Sequence, residues 1–154
     1  MKSNQPVFYF ASAEEAEAAF YSAFEMGDVQ LMDAVLAKNN VSCIHPGSLP
    51  IIGREAVMDS WSQILNNQAT PVFYADVLSR SVVDDMTIHL VMERIASSHQ
   101  PDADISLVLA TNVYVREKQG WRLQMHHAVL PPLEQEADHS QQHTVTHDAP
   151  TTLQ

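Results

Sequence analysis

The chain has 154 residues, of which 45% are hydrophobic, enough for one domain that buries its own core. Asp and Glu outnumber Lys and Arg 19 to 8, and the resulting charge of -11 repels phosphate backbones and anionic lipids, so neither nucleic acid nor membrane is an expected partner. Cys43 is the single cysteine, which excludes an internal disulfide, and no apolar run approaches the roughly 20 residues that span a bilayer.

Near the start, Lys2, the apolar Val7 to Phe10 and then Ala11-Ser12-Ala13 imitate a secretory leader. The apolar part is shorter than the roughly 7 to 15 residues of a true signal core, so a cytoplasmic protein is expected. Ser12 with Glu15 forms a capping box, and Ala16, Ala19, Phe20, Ala23 and Phe24 recur at helical spacing up to a left-handed stop at Gly27. Asp28 then caps a short second helix through Leu31, Met32, Val35 and Leu36. An apolar strand from Val41 to His45 follows, in which Cys43 reads as a small buried hydrophobe. Pro46 and Gly47 turn the chain, and Gly53 opens a helix from Arg54 to Asn66 whose apolar stripe includes Val57, Trp61 and Leu65. A strand thus delivers His45 to a loop mouth beside a helix bearing Trp61, one wall of a concave pocket.

Four long strands are predicted next, at Pro71 to Val82, Met86 to Ser97, Ile105 to Lys118 and Trp121 to Val129. Asp84-Asp85 and Gln119-Gly120 suit tight hairpins, and residues 99–104 a wider loop. Helices first and an antiparallel meander after them define an α+β class. Period two puts Leu107, Leu109, Thr111, Val113 and Val115 on one face, with Trp121, Leu123, Met125, His127 and Val129 as the matching set on the last strand. Being the more apolar, this face is expected to meet the helices. The opposite face still carries Val108, Ala110, Tyr114 and Ala128, too apolar for water, so a symmetric homodimer through the outer sheet surface is expected to cover it. His89 and Glu93 share a face, with Arg94 opposite, and none of the three is assigned a role. From Glu134 the composition turns polar, which divides the chain into a domain over 1–133 and a mobile tail over 134–154. His139, His143 and His147 in that tail invite only adventitious metal, and no metal site or cofactor is expected.

His45-Pro46-Gly47-Ser48-Leu49-Pro50 running to Gly53, a helix with Trp61, the Met26-Gly27-Asp28 junction and Gly120-Trp121-Arg122-Leu123 ending in His126-His127-Ala128 resemble the nuclear transport factor two-like superfamily. Within it, the SnoaL-like and ketosteroid isomerase-like proteins are most similar, over about residues 10 to 131. The resemblance implies a cone: one curved antiparallel sheet around a long N-terminal helix, with an internal cavity and dimerisation through the outer sheet. It implies a proton-shuttling base at His45, where the isomerases carry a carboxylate. Their oxyanion-donating tyrosine falls at Phe20, with Tyr21 about 100° further round the helix. Their second donor falls at Thr111 by strand parity, or at Asn112 if hairpin lengths match, and their supporting tyrosine at Trp61. These departures argue against steroid isomerisation itself.

The expected function is therefore binding of a small apolar molecule with a polar group. An enzymatic version would be a cofactor-free isomerase, cyclase or dehydratase, with His45 and His127 catalytic and Phe20, Trp61, Thr111, Leu123 and Met125 lining the ligand site. The alternative is a noncatalytic dimerising or ligand-sensing module of the same fold.

Overall fold

The computed structural model describes residues 6–67, 71–97 and 105–132; the polar tail, its histidines and the 99–104 loop lie outside them. Local signals place the helices. In α1 (Ala13–Met26) the Ser12 hydroxyl accepts from the Glu15 amide, and Gly27 closes the helix at φ 66 with its amide turned back to Ala23 and Phe24. Asp28 accepts from the Leu31 amide to start α2 (Val29–Val35). The chain then makes β1 (Ser42–Ile44), β2 (Ile51–Ile52) and α3 (Arg54–Asn67), followed by β3 (Pro71–Val83), β4 (Met86–Ser97), β5 (Ser106–Glu117) and β6 (Gly120–Val129). The short β2 was not expected from the sequence.

One six-stranded sheet runs in the order β2-β1-β6-β5-β4-β3. The meander is antiparallel, but β1 lies parallel to β6, with Cys43 opposite His126, so the sheet is mixed rather than wholly antiparallel. Register shifts at Val77/Ser79 and Val113/Tyr114 bend the long strands, as an unpaired extra residue does. Helix α1 lies against the concave face, and Phe20, Met32, Val35, Val57, Trp61 and Leu123 form the apolar core between helices and sheet.

The second shift decides which side chains enter the cone. Tyr114 pairs with Leu123 and Val113 with Met125, which leaves Gln124 as the extra residue of β6. Beyond it the alternation inverts: Leu123, His126 and Ala128 are buried, while Met125 and His127 are only half-buried and Val129 is exposed. On β5, Val108, Ala110, Asn112 and Tyr114 are buried, and Asn112 and Tyr114 hydrogen-bond to side chains of α1. Thr111, Met125 and His127 therefore occupy the outer face, contrary to expectation, and Val108, Ala110, Tyr114 and Ala128 the inner one. The outer face is apolar as well, with Ile88, Leu90, Leu107 and Val129 between 37% and 54% exposed.

Candidate functional site

Two turns of α1 and three strands bring a polar row into the cone. Glu17 and Tyr21 are four residues apart and so share one helix face. His89 and Glu93 share the inner face of β4, and cross-strand register sets His89, Asn112 and His126 side by side on β4, β5 and β6. The Tyr21 hydroxyl donates to Glu93 Oε1 at 2.8 Å and accepts from Asn112 Nδ2 at 2.9 Å. Asn112 Oδ1 accepts from His126 Nδ1 at 2.6 Å. Because the amide nitrogen is committed to Tyr21, this geometry fixes the Nδ1–H tautomer of His126 and leaves Nε2 as an acceptor. Glu93, Tyr21, Asn112 and His126 are thus one hydrogen-bonded line through the interior.

A second group adjoins it. Glu17 Oε2 lies 2.6 Å from His89 Nδ1 and accepts from the Tyr114 hydroxyl at 3.3 Å. His89 is fully buried; its Nε2 has no hydrogen-bond partner and lies 4.0 Å from Glu14 Oε1.

Burial sets the electrostatics. Desolvation lifts the Glu93 carboxyl to about 7, against the hydrogen bond from Tyr21 that lowers it and with the Glu17 charge that raises it further. Desolvation also raises the Tyr21 and Tyr114 phenols, so both stay protonated donors. His126 is pushed down to about 3 by burial and then by His45 and His127, and it is neutral at any ordinary pH. Burial similarly lowers His45 and lifts the Cys43 thiol to about 12, a closed hydrophobe rather than a nucleophile.

Of the sequence-predicted residues, His45, Trp61, Phe20 and Leu123 come together inside. His45, just past the end of β1, is half-buried, with Nε2 2.6 Å from the Ser60 hydroxyl and its ring edge-on to Trp61 at 4.8 Å. Trp61 touches Phe20, Phe24 and His126, and its buried indole N–H has no hydrogen-bond partner. His127 turns away from this group and meets Ser42 Oγ at 3.2 Å, while Thr111 lies opposite it in the outer-face register. The histidine of β6 that shares the Trp61 ring with His45 is thus His126, one residue from the position that straight alternation selects. Arg94 is also outside, paired with Asp76.

The sequence reading assigned no role to Glu17, His89, Glu93 or His126, set Tyr21 beside the position that Phe20 takes, and held Asn112 only as the alternative to Thr111. Two signals pointed to this group: the Glu17/Tyr21 spacing on α1, and the His89/Glu93 pair on one strand face, which was noted without a role. A cleft of about 320 Å³ is lined by Phe8, Asp33, Lys38, Arg54, Arg122 and neighbours, and it shares no residue with the polar line. The arrangement around Glu93 can hold a proton on a carboxyl near neutral pH and present neutral donors and acceptors on either side of it.

Comparison with known proteins matches the SnoaL-like domain model over residues 13–132. A structure from Thiobacillus denitrificans, provisionally described as a calcium/calmodulin-dependent protein kinase type II association domain, is 35% identical over 83% of this chain and 100% of its own, with a TM-score of 0.74. A provisional dehydratase of the nuclear transport factor two-like family from Streptomyces avermitilis is 31% identical over 76% of this chain and 91% of its own, with a TM-score of 0.69. A ketosteroid isomerase-like protein from Erwinia carotovora, 10% identical over 77% of this chain and 93% of its own at a TM-score of 0.63, shares the fold alone. No curated protein matches. The family match takes in α1 to β6, every element that builds the polar line, and the chain belongs to the SnoaL-like domain family of the nuclear transport factor two-like superfamily.

Proposed function

We propose that this SnoaL-like domain binds a small apolar molecule bearing a polar group and moves a proton on it, by isomerisation or dehydration without a cofactor, with Glu93 as the acid–base group. The observation that carries this reading is the buried line from Glu93 through Tyr21 and Asn112 to His126. A carboxyl near neutrality gives and takes protons at similar cost, which is what a general acid–base needs. Tyr21 and Asn112 hold its orientation, and the unpartnered Trp61 N–H offers a donor to a ligand acceptor. His45 is the second candidate for proton transfer, and Phe20 and Leu123 supply apolar wall. The similar Streptomyces protein, provisionally a dehydratase, supports this class of chemistry.

The test combines a thermal-shift screen of small hydrophobic ketones, lactones and acids with deuterium exchange at the carbon next to a ketone carbonyl, followed by NMR. A ketone that stabilises the wild type should also stabilise Glu93→Gln, while exchange falls by at least a hundredfold in that variant and less in His45→Ala. Equal exchange in wild type and Glu93→Gln would refute the assignment.

A second reading, a noncatalytic dimerising module, is favoured by the outer sheet face. Ile88, Leu90, Leu107 and Val129 leave it apolar and exposed, and a second copy of the chain placed against it forms the proposed homodimer. The similarity to a provisional association domain supports self-assembly. The two readings use opposite faces of one sheet and are compatible.

A further inference from the structure

Arg122 carries a buried charge with no carboxylate within 4.0 Å among the described residues. It is 7% exposed, and its two terminal nitrogens donate to the carbonyls of Phe8 at 2.8 Å and Trp121 at 2.9 Å, both neutral acceptors. Its guanidinium lies 5.0 Å over the Phe10 ring. Each other described arginine has an acidic partner: Arg54 with Asp33, Arg80 with Glu14, Arg94 with Asp76 and Arg116 with Asp85. In a chain with 19 carboxylates for 8 cations, the most enclosed cation among the described residues has only the more distant Glu117 charge to offset its desolvation.

Arg122 faces the cleft of about 320 Å³ noted above. Lys38 lines the same cleft, and no carboxylate lies within 4.0 Å of its ammonium among the described residues. The one acidic residue on the wall, Asp33, is bound to Arg54, which also donates to the Ala37 and Asp33 carbonyls. Glu117 acts on Arg122 electrostatically, but it does not line the cleft, and one of its oxygens is taken by the Lys38 amide. Two cations against Glu117 leave one unmatched positive charge. The remaining wall includes Val7, Phe8 and Leu36.

We propose that this cleft is a binding site for a small organic monoanion, a carboxylate on an apolar body. Its carboxylate pairs with Arg122 and Lys38, and its body lies against Val7, Phe8 and Leu36. The site stands on residues separate from the Glu93 line, so it holds whether or not that line is catalytic.

Benzoate and its uncharged isostere benzamide are the probes, titrated at constant ionic strength into the full 15N-labelled chain. Benzoate should move the amide signals of Val7, Ala34, Leu36 and Gln119, and benzamide should bind at least tenfold more weakly. Lys38→Glu, a change at an exposed side chain, should weaken benzoate at least tenfold while leaving the melting temperature within a few degrees. Equal binding of the two probes, an affinity for benzoate unchanged by Lys38→Glu, or shifts confined to residues around Glu93 would each overturn the proposal. Inorganic phosphate binding more tightly than benzoate would overturn the carboxylate assignment.

Discussion

Replacing Glu93 by glutamine should change how stability depends on pH more than it changes stability itself. In the fold the carboxyl titrates at about 7 against 4.5 in an open chain, so between those values the native state holds a proton that the unfolded state has released. Stability from this group is complete below pH 4.5 and is lost as pH rises to 7. At about 1.4 kcal/mol per pH unit, ionising Glu93 inside the cone costs about 3 kcal/mol above neutrality. Glutamine accepts from Tyr21 in the same place and never ionises. Urea unfolding of wild type and Glu93→Gln should therefore give similar stabilities near pH 5 and a gap of about 2 to 3 kcal/mol in favour of the variant at pH 8. Subtracting the two curves removes every titrating group that is not coupled to Glu93. A gap that stays constant from pH 5 to 8 would refute the claim that Glu93 is desolvated, and with it the reason for choosing it as the acid–base group.

His126 tests the same interior from the opposite sign. Its pKa is driven down to about 3, so its ring signals in NMR should show no inflection between pH 8 and 5, and one near 6.5 would mean that the ring is solvated. Gly120→Ala should cost about 2 to 4 kcal/mol in urea unfolding, because the residue sits at φ 98 and a Cβ there would meet the Phe10 carbonyl oxygen at 2.6 Å; a loss under 1 kcal/mol would show that the Phe10 segment is not held against the β5–β6 turn. Leu90→Glu, on the exposed outer face, should convert a dimer to a monomer in light scattering with little change in helix content. A wild-type chain that is monomeric at tens of micromolar would refute the dimer.

How far the sequence could be read depended on the range of each signal. Caps act within a few residues, so Ser12, Gly27 and Asp28 placed both ends of α1 and the start of α2 correctly. Strand extents followed from texture, and even the Asn112 alternative for the second donor turned out to be the interior residue. Two longer-range effects escaped. Counting by twos along β6 runs straight through Gln124, where the register shifts, and that single residue exchanges His127 for His126. Which sheet face meets the helices was judged from hydrophobicity, and here that assignment inverts: the concave face carries His89, Glu93 and Asn112 among Val91, Val108 and Ala110, whereas the convex one also carries apolar residues, Ile88, Leu90 and Leu107. Nothing local encodes that inversion, because it reflects a polar site inside and an apolar surface outside.

The inversion also links the two proposed roles. Hydrogen-bonded polar groups in the interior contribute less to folding than the hydrocarbon they displace, since each recovers only the water bonds it gave up. Aliphatic side chains on the convex face yield about 1.5 to 3 kcal/mol each only when something covers them. A lone protomer therefore leaves part of its apolar surface uncovered on the convex side, beyond the core that the helices bury, and pairing through that surface would add to what the interior supplies. Since β4 and β5 carry both Leu90 and Glu93 and both Leu107 and Asn112, one pair of strands serves both faces. Loss of the outer contact should loosen the strands that fix the Glu93 line, so Leu90→Glu should speed amide exchange at Glu93 and Asn112 as well as changing the mass. Unchanged protection at those amides in a monomeric Leu90→Glu chain would separate the site from the assembly.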